Sequence, residues 1–401
     1  MGHRATVDRF SVLPWELLDN IIGRLHILDA VRTTILSRSW KDKWAGVSKV
    51  VFDEYSGGTA FEDGEKFVKL VHHVLLSHHG QIQKFMISVR PNFDTNYLDR
   101  WILLLSTNAI EELVLDFNKK QLTRTIYKLP SSLFSCQQLR HLHLTDCKVV
   151  LPDTFHGFSN LASLQLSRFS AYDGKVVERL IRSCPLLDAL ALSWFSFDHL
   201  DIYAPNLKSL YLEGDFAVYI ENSPHLTDAS FLLVPIERDV REMAKSSGPS
   251  DCQFQLGKLA LSGWYMEYLA IRCIPVGAFV ECNTLKLLKL SLLHFDVMDE
   301  ISVLFSFLGR CSNLEELDIS GPTPRRVNED VCVISFMLST LRSTSNLEGF
   351  HISVSFLKFL DHMYEMMELN HLGLSDFPFT YVYLLNRMLI SLLQNHVVPL
   401  V

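Results

Sequence analysis

The hydrophobic positions of the chain follow one short pattern, apolar-x-x-apolar-x-apolar, that returns many times after residue 80. Twelve copies share one register, and their starts are separated by 19 to 33 residues. This spacing is typical of leucine-rich repeats, in which each unit contributes one strand and one return segment. The pattern predicts an α/β solenoid with a parallel concave sheet. The copies begin at residues 82, 110, 139, 161, 187, 207, 226, 256, 285, 314, 347 and 369.

Side chains alternate between the two faces of a strand, so the third, fifth and seventh residues of each copy should face the concave side. Because exposed side chains on such a face can contact another protein, we expect a substrate-binding surface there. The candidate residues are His141, His143, Tyr211, Glu213, Lys258, Lys289, Glu316, Asp318 and His351. Trp194 and Trp264 follow two strands, where each is either a binding anchor or packs on the next repeat.

Two residue types recur in phase with the repeat. The seventh position is serine in eight copies, which favours hydrogen bonding to backbone at a strand end over a nucleophilic role. Cys136, Cys184, Cys282 and Cys311 each lie three residues before the first leucine of a copy. A repeat period keeps these thiols apart, so we expect them to pack the turns and to bind no metal.

Residues 61–80 have the spacing of an amphipathic helix with apolar residues at i, i+3 and i+4 and a C-cap at Gly80. The helix carries four histidines in two adjacent pairs. No pair has the i, i+4 spacing that would share one metal ion, so we expect a solvated face.

The first fifty residues contain a second kind of pattern. Leu17, Leu18, Ile21, Ile22 and Leu25 make an apolar face on a predicted helix, and two further short helices follow before residue 46. Three short helices bury little surface by themselves. This segment should therefore pack on a neighbour, either the repeat array or a partner protein.

Residues 8–44 closely resemble the F-box of plant F-box/leucine-rich-repeat proteins. The resemblance rests on the signature Leu13-Pro14, Glu16, Leu17-Leu18, Ile21-Ile22, Leu25, Asp29-Ala30-Val31, Leu36-Ser37, Trp40 and Trp44. His26 stands where relatives usually carry proline. The family implies a small three-helix F-box that docks on a Skp-type adaptor. The adaptor-binding residues that it implies are Leu13, Pro14, Leu17, Leu18, Ile21, Ala30, Val31, Leu36 and Trp40.

The resemblance divides the chain into four parts. We expect an F-box at 8–46, a first helix with irregular leading repeats at 47–109, and a leucine-rich-repeat array at 110–375. Residues 376–401 form a divergent C-terminal segment at the place of a degenerate FBD domain, since the acidic run and helix of that domain are hard to recognise.

Composition limits the function. The net charge of −8 divides into +3 for residues 1–50 and −11 for the rest, and this distribution argues against nucleic-acid binding. No apolar run is long enough to span a bilayer, and no hydrophobic signal segment or CxxC motif is present. We therefore expect reduced thiols and a nuclear or cytoplasmic location, without a membrane partner.

The resemblance implies a non-catalytic substrate-recognition subunit of a Skp–cullin–F-box ubiquitin ligase. Its partners would be the adaptor, through it a cullin and a RING protein, and an unknown protein substrate. The alternative is a repeat scaffold that passes no substrate on for ubiquitination. No catalytic motif points to an enzyme. Because Lys84, Lys258 and Lys289 are scattered among acids, we expect no inositol phosphate and no other cofactor.

Overall fold

The computed structural model describes residues 13–25, 27–35, 43–53, 63–88, 94, 96–116, 127–171, 173–234, 240, 254–281, 283–294, 297–320 and 349–352. The chain divides into two compact units, one ending at Leu226 and one beginning at Thr227. The helices are α1 (Trp15–Ile22), α2 (Ile27–Arg32), α3 (Gly64–Ser77), α4 (Asn96–Ser106), α5 (Gly174–Arg182), α6 (Gly263–Ile271), α7 (Val276–Phe279) and α8 (Met298–Arg310).

The strands follow the repeat. They are β1 (Lys49–Asp53), β2 (Lys84–Ser88), β3 (Glu112–Asp116), β4 (Tyr127–Lys128), β5 (His141–Thr145), β6 (Cys147–Val149), β7 (Ser163–Ser167), β8 (Ser170–Ala171), β9 (Ala189–Tyr203), β10 (Ser209–Glu221), β11 (Asp228–Leu233), β12 (Lys258–Ser262), β13 (Leu287–Ser291), β14 (Glu316–Ile319) and β15 (Gly349–Ile352).

The first unit is built on a parallel sheet with the strand order β1-β2-β3-β5-β7-β9-β10. One row of this sheet contains buried leucines in register. Burial of each leucine side chain contributes about 1.5–3 kcal/mol to folding. The row contains Leu113, Leu142, Leu164, Leu190 and Leu210. A smaller parallel sheet has the order β4-β6-β8. In the chain, each of its strands follows one strand of the main sheet: β4 follows β3, β6 follows β5 and β8 follows β7.

The second unit contains β11 to β15 as a parallel sheet in chain order. Leu259, Leu288 and Leu317 are buried in one row of it. Helix α8 buries Leu304 and Phe307. The predicted α/β fold with a parallel sheet is confirmed for both units.

Every copy of the repeat inside the described residues forms its strand at the third residue of the copy. Thus β5 begins at His141 and β12 at Lys258. The copy at 369–374 and the segment 376–401 lie outside the described residues. The leading segment 47–109 contains one further copy that the sequence reading did not separate, with Val47, Val50 and Phe52 at its buried apolar positions.

The return segments differ among repeats. Helix α3 confirms the amphipathic helix predicted at 61–80, which begins after the N-cap Asp63 and ends at Ser77. Its C-cap is His78, so the predicted C-cap at Gly80 is wrong. In contrast, β9 and β10 continue as parallel strands for fifteen and thirteen residues. Phe195, Leu200 and Ile202 are buried along this extension of β9. The extra strand length replaces a helix as the means of burying apolar surface.

Candidate interaction surfaces

The polar face of the first sheet carries the third, fifth and seventh residues of each repeat. These residues form rows that cross the strands, because all strands are parallel and in register. The first row contains Lys49, Lys84, Glu112, His141, Ser163, Ala189 and Ser209. The third row contains Asp53, Ser88, Asp116, Thr145, Ser167, Ser193 and Glu213.

The predicted substrate-contact residues of this unit lie on the polar face but not all together. His141 is exposed and His143 half-buried on β5, whereas Tyr211 and Glu213 are half-buried on β10. Strands β7 and β9 separate the two groups, a distance of roughly 14 Å at about 4.8 Å per strand spacing. Burial lowers the pKa of His143, and the nearby Asp116 opposes this shift. His143 is therefore held towards its neutral form.

Three lysines of the two polar faces form ion pairs with neighbouring strands. Lys84 lies 2.7 Å from Glu112, Lys258 lies 3.6 Å from Asp228, and Lys289 lies 2.9 Å from Asp318. Each pair joins residues that the strand register places side by side. Sequence reasoning placed these lysines on the face but not in pairs. Because each of these lysines already pairs with a carboxylate, its positive charge is less available to a phosphate-rich ligand.

The candidate residues of the second unit also share one face. Lys289, Asp318 and His351 occupy one row, and Lys258 and Glu316 lie in the row beside it, on β12 and β14. At the amino ends of these strands an open groove of about 300 Å³ is lined by Lys258, Lys286, Glu315 and Glu316, among others. Lys286 and Glu315 pair across it at 2.7 Å.

The in-phase cysteines are packed as the sequence predicted, and two in-phase serines, Ser262 and Ser320, bond to backbone carbonyls as predicted, whereas others bond to side chains. Cys136 and Cys184 are buried with Sγ near the carbonyl oxygens of Ser132 and Leu180, and burial raises their thiol pKa values to about 12 and about 11. Cys311 is buried as well, while Cys282 lies outside the described residues. Ser262 Oγ donates to the Leu233 carbonyl and caps α6.

Other in-phase side chains pair with one another. Ser167 Oγ and Ser193 Oγ are 2.7 Å apart, and Ser88 Oγ donates to Asp116 at 3.3 Å. These contacts bind neighbouring repeats together. In the described part of the chain, neither pair includes the histidine partner that nucleophilic activation of a serine requires.

The histidines at 72, 73, 78 and 79 were predicted to lie on a solvated face, and the structure corrects this for His72 and His78. The half-buried His72 ring lies 5.4 Å from the Tyr97 ring and 5.8 Å from the Trp101 ring. His78 is the C-cap of α3 and is held at both ring nitrogens. Its Nε2 lies 2.8 Å from the Val47 carbonyl and its Nδ1 lies 3.0 Å from the Gly80 carbonyl. Burial lowers the pKa of His78. In the described ranges no group of three or more His, Cys, Asp or Glu residues is placed to hold a metal ion.

Helix α1 is apolar on two sides. Leu18 and Ile22 are buried against the chain itself, whereas Leu17, Ile21 and Leu25 are 51%, 43% and 40% exposed. Leu17 and Ile21 lie one turn apart on α1, and Leu25 lies in the turn that follows the helix. We call them the α1 stripe. A single exposed leucine needs no explanation, but a contiguous apolar stripe is typical of an interface.

The implied adaptor-binding residues divide between this surface and the interior. Pro14 is exposed next to the α1 stripe, and Leu13 and Val31 are half-buried. Leu18 and Ala30 are only 3% and 2% exposed, so the chain's own packing covers them. Leu36 and Trp40 lie outside the described residues. Ile35, which sequence reasoning passed over, is 84% exposed.

The repeats match a family model described as the LRR repeats of FBD-associated F-box protein At5g56370, over residues 98–245. The F-box/FBD/LRR-repeat protein At1g13570 of Arabidopsis thaliana is 35% identical over 323 residues, which make up 78% of this chain and 76% of that protein. The chain belongs to the plant F-box/FBD/LRR-repeat family. This membership confirms the resemblance found in the sequence.

Other relatives match this chain over a shorter length. The putative FBD-associated F-box protein At5g56560 of Arabidopsis thaliana is 29% identical over 238 residues, 56% of this chain and 55% of that protein. Among solved structures, an internalin from Listeria monocytogenes is 14% identical with a TM-score of 0.29, covering 75% of this chain and 94% of that one. The fold assignment rests on the strand register and not on this likeness.

No helix in the described part of this family member is both long and apolar enough to cross a membrane.

Proposed function

We propose that this F-box/FBD/LRR-repeat protein is a substrate-recognition subunit of a Skp–cullin–F-box ubiquitin ligase. Its F-box, at residues 8–46, binds a Skp-type adaptor and through it a cullin and a RING protein. The sheet faces of the repeats at 110–375 bind a protein substrate. The protein itself performs no chemistry, and it works in the nucleus or the cytoplasm, where the ligase would find its substrates.

The α1 stripe is the observation that carries this proposal. Helix α1 and the turn after it bury Leu18 and Ile22 against their own unit and still expose Leu17, Ile21 and Leu25. Because these three side chains are already about half buried, a partner that covers the remainder of each contributes about 1 kcal/mol per side chain. Such a surface gains stability from a partner and loses nothing of the internal core. The family name supplies the partner, since the relatives are named F-box proteins.

The test is adaptor binding by the full chain and by a double variant, Leu17→Asp with Ile21→Asp. Because both side chains are exposed, the substitutions should leave the fold intact. We expect the wild type to recover a Skp-type adaptor and a cullin from plant extract, and the variant to lose both. The control is Leu76→Asp on α3, where an equally apolar side chain is 76% exposed away from α1.

A wild type that recovers no adaptor would overturn the proposal. If the adaptor binds but the lifetimes of the proteins recovered with it do not change when the chain is removed from cells, the protein is a scaffold of the kind considered as the alternative. Loss of adaptor binding by Leu76→Asp as well would show that the charge disturbs the fold and not a local contact.

A further inference from the structure

Trp194 occupies a β-bulge in the first sheet. Ser193 is opposite Glu213 and Phe195 is opposite Gly214, so Trp194 is an extra residue in β9 with no partner in β10. Its backbone is left-handed, with φ of 56°. Regular alternation after Ser193 would have turned the next side chain into the core. Because of the bulge, Phe195 takes the next inward-facing position and is 2% exposed, whereas Trp194 is 49% exposed.

The neighbouring strand is adapted to this bulge. Gly214 has φ of 154°, and a Cβ atom there would lie 2.3 Å from the Phe195 carbonyl oxygen. Phe195 stacks on Phe216 and Phe169 at centroid distances of 5.6 and 5.9 Å. A tryptophan is thus held out of the core by well-packed surroundings. Bulges of this kind are enriched beside functional sites because they redirect one side chain.

A carboxylate lies directly beside the bulge. Glu213 accepts a hydrogen bond of 2.8 Å from the Tyr211 hydroxyl, and no cation pairs with it in the described part of the chain. Arg168, which follows β7, is held by two hydrogen bonds to Asp146. Glu213 therefore keeps its charge available, hydrogen-bonded to Tyr211 and opposite the strand position directly before Trp194.

The row of Glu213 carries three carboxylates, Asp53, Asp116 and Glu213, and no lysine or arginine. Between Asp116 and Glu213 the row contains three small hydroxyl side chains, Thr145, Ser167 and Ser193, of which Thr145 and Ser167 are buried. Only small side chains thus separate the two carboxylates along the row. Their separation is four strand spacings, roughly 19 Å at about 4.8 Å each.

We propose that Trp194, Tyr211 and Glu213 bind an arginine or lysine side chain of an extended basic segment in the protein substrate. This inference rests on the proposed function and adds the chemistry that the repeats select. A guanidinium or ammonium group gains a charge-assisted hydrogen bond from Glu213 and a cation–π contact from Trp194. A second basic residue about six positions away reaches Asp116, since an extended chain rises about 3.3 Å per residue.

The experiment selects ligands from a random nonapeptide library on the immobilised full chain. We expect the selected peptides to be enriched in arginine or lysine, with two basic positions about six residues apart. A selected peptide, labelled with fluorescein, is then titrated against variants. Glu213→Gln keeps an acceptor for Tyr211 but removes the charge, and Trp194→Gly suits the left-handed backbone. Each should weaken binding about tenfold.

The matched control is Glu221→Gln, a carboxylate on the same strand whose partner is Arg182 at 3.9 Å. It should bind like the wild type. Selection of acidic or uncharged peptides, no selection at all, or equal binding by Glu213→Gln and wild type would overturn the inference. Adaptor recovery, measured in parallel, separates this failure from failure of the proposed function, because Glu213 and Trp194 lie far along the chain from the α1 stripe.

Discussion

Arg168 donates two hydrogen bonds to Asp146, from Nε at 3.0 Å and from Nη2 at 3.1 Å. Both residues directly follow a sheet strand, and both have left-handed backbone, with φ of 46° and 51°. Few residues other than glycine adopt this conformation. The pair therefore joins the ends of β7 and β5 at a place where the backbone alone would be strained, and it raises the pKa of Arg168 further.

Asp146→Asn should lower the free energy of unfolding by about 1 kcal/mol, the upper range for a partly exposed but bidentate pair. Asparagine tolerates left-handed backbone, so the substitution tests the charge alone. Urea unfolding followed by circular dichroism measures the change. Asp153→Asn, in an exposed loop, is the control, and an equal effect of both variants would refute the role of the pair.

Gly214→Ala should destabilise the first unit by about 2 kcal/mol or more, because its Cβ would meet the Phe195 carbonyl oxygen at 2.3 Å on a backbone with φ of 154°. Gly309→Ala is the matched control. Its Cβ has no heavy atom within 4 Å in α8, so the helix should gain up to about 1 kcal/mol. Thermal unfolding of both variants checks the opposite signs. If Gly214→Ala leaves the unfolding temperature unchanged, the backbone around the bulge can accommodate a Cβ atom and the prediction is wrong.

Glu300 should make stability depend on pH. Its carboxylate is 1% exposed and accepts bonds from the backbone N–H and ring of His294 at 2.7 and 2.9 Å. Burial raises the pKa of Glu300 from 4.5 to about 7. The folded state thus binds a proton more tightly than the unfolded state, and stability falls as pH rises between about 4.5 and 7.

The expected loss from pH 5 to pH 8 is on the order of 2 kcal/mol. This loss should be absent from the pH profile of the Glu300→Gln variant, whose side chain cannot ionise. Urea unfolding at pH 5, 6, 7 and 8 gives both profiles. Parallel profiles for wild type and variant would show that other groups cause the pH dependence.

The cysteines should differ in reactivity. Cys273 is exposed, whereas Cys136, Cys147 and Cys184 are buried, and burial raises the pKa of Cys147 to about 12. Only the thiolate reacts with iodoacetamide. Peptide mapping after brief alkylation at pH 8 should find Cys273 modified and the three buried thiols intact until urea is added. Modification of Cys184 before urea is added would contradict the assignment of this thiol to the packing of its turn.

Inositol hexakisphosphate should not stabilise the chain. Lys84, Lys258 and Lys289 each have a carboxylate partner on a neighbouring strand, and a polyphosphate would have to break these pairs and lie beside the released acids. A thermal shift assay over a wide range of ligand concentration tests this. A clear upward shift, weakened by Lys84→Gln, would prove the expectation wrong.

Much of the fold could be predicted from local pattern. The apolar-x-x-apolar-x-apolar spacing gave the positions of strands such as β5 and β12, each of which begins at the third residue of its copy, because strand alternation has a period of two and burying one face fixes the register. The same logic placed Tyr211 and Glu213 on one face and assigned Cys136 and Cys184 to packing. The signature around α1 also indicated the family.

Other features depend on contacts between distant segments. The sequence placed Trp194 just past a strand, with binding and packing on the next repeat as alternatives, and the bulge opposite Gly214 leaves its side chain half exposed. In α1 the pattern could not distinguish the buried Leu18 from the exposed Leu17, since both belong to one apolar helix and the choice depends on what packs against it. Local periodicity thus determined the repeats, their register and the family, whereas packing between strands and helices decided which of the apolar and charged side chains remain free to bind.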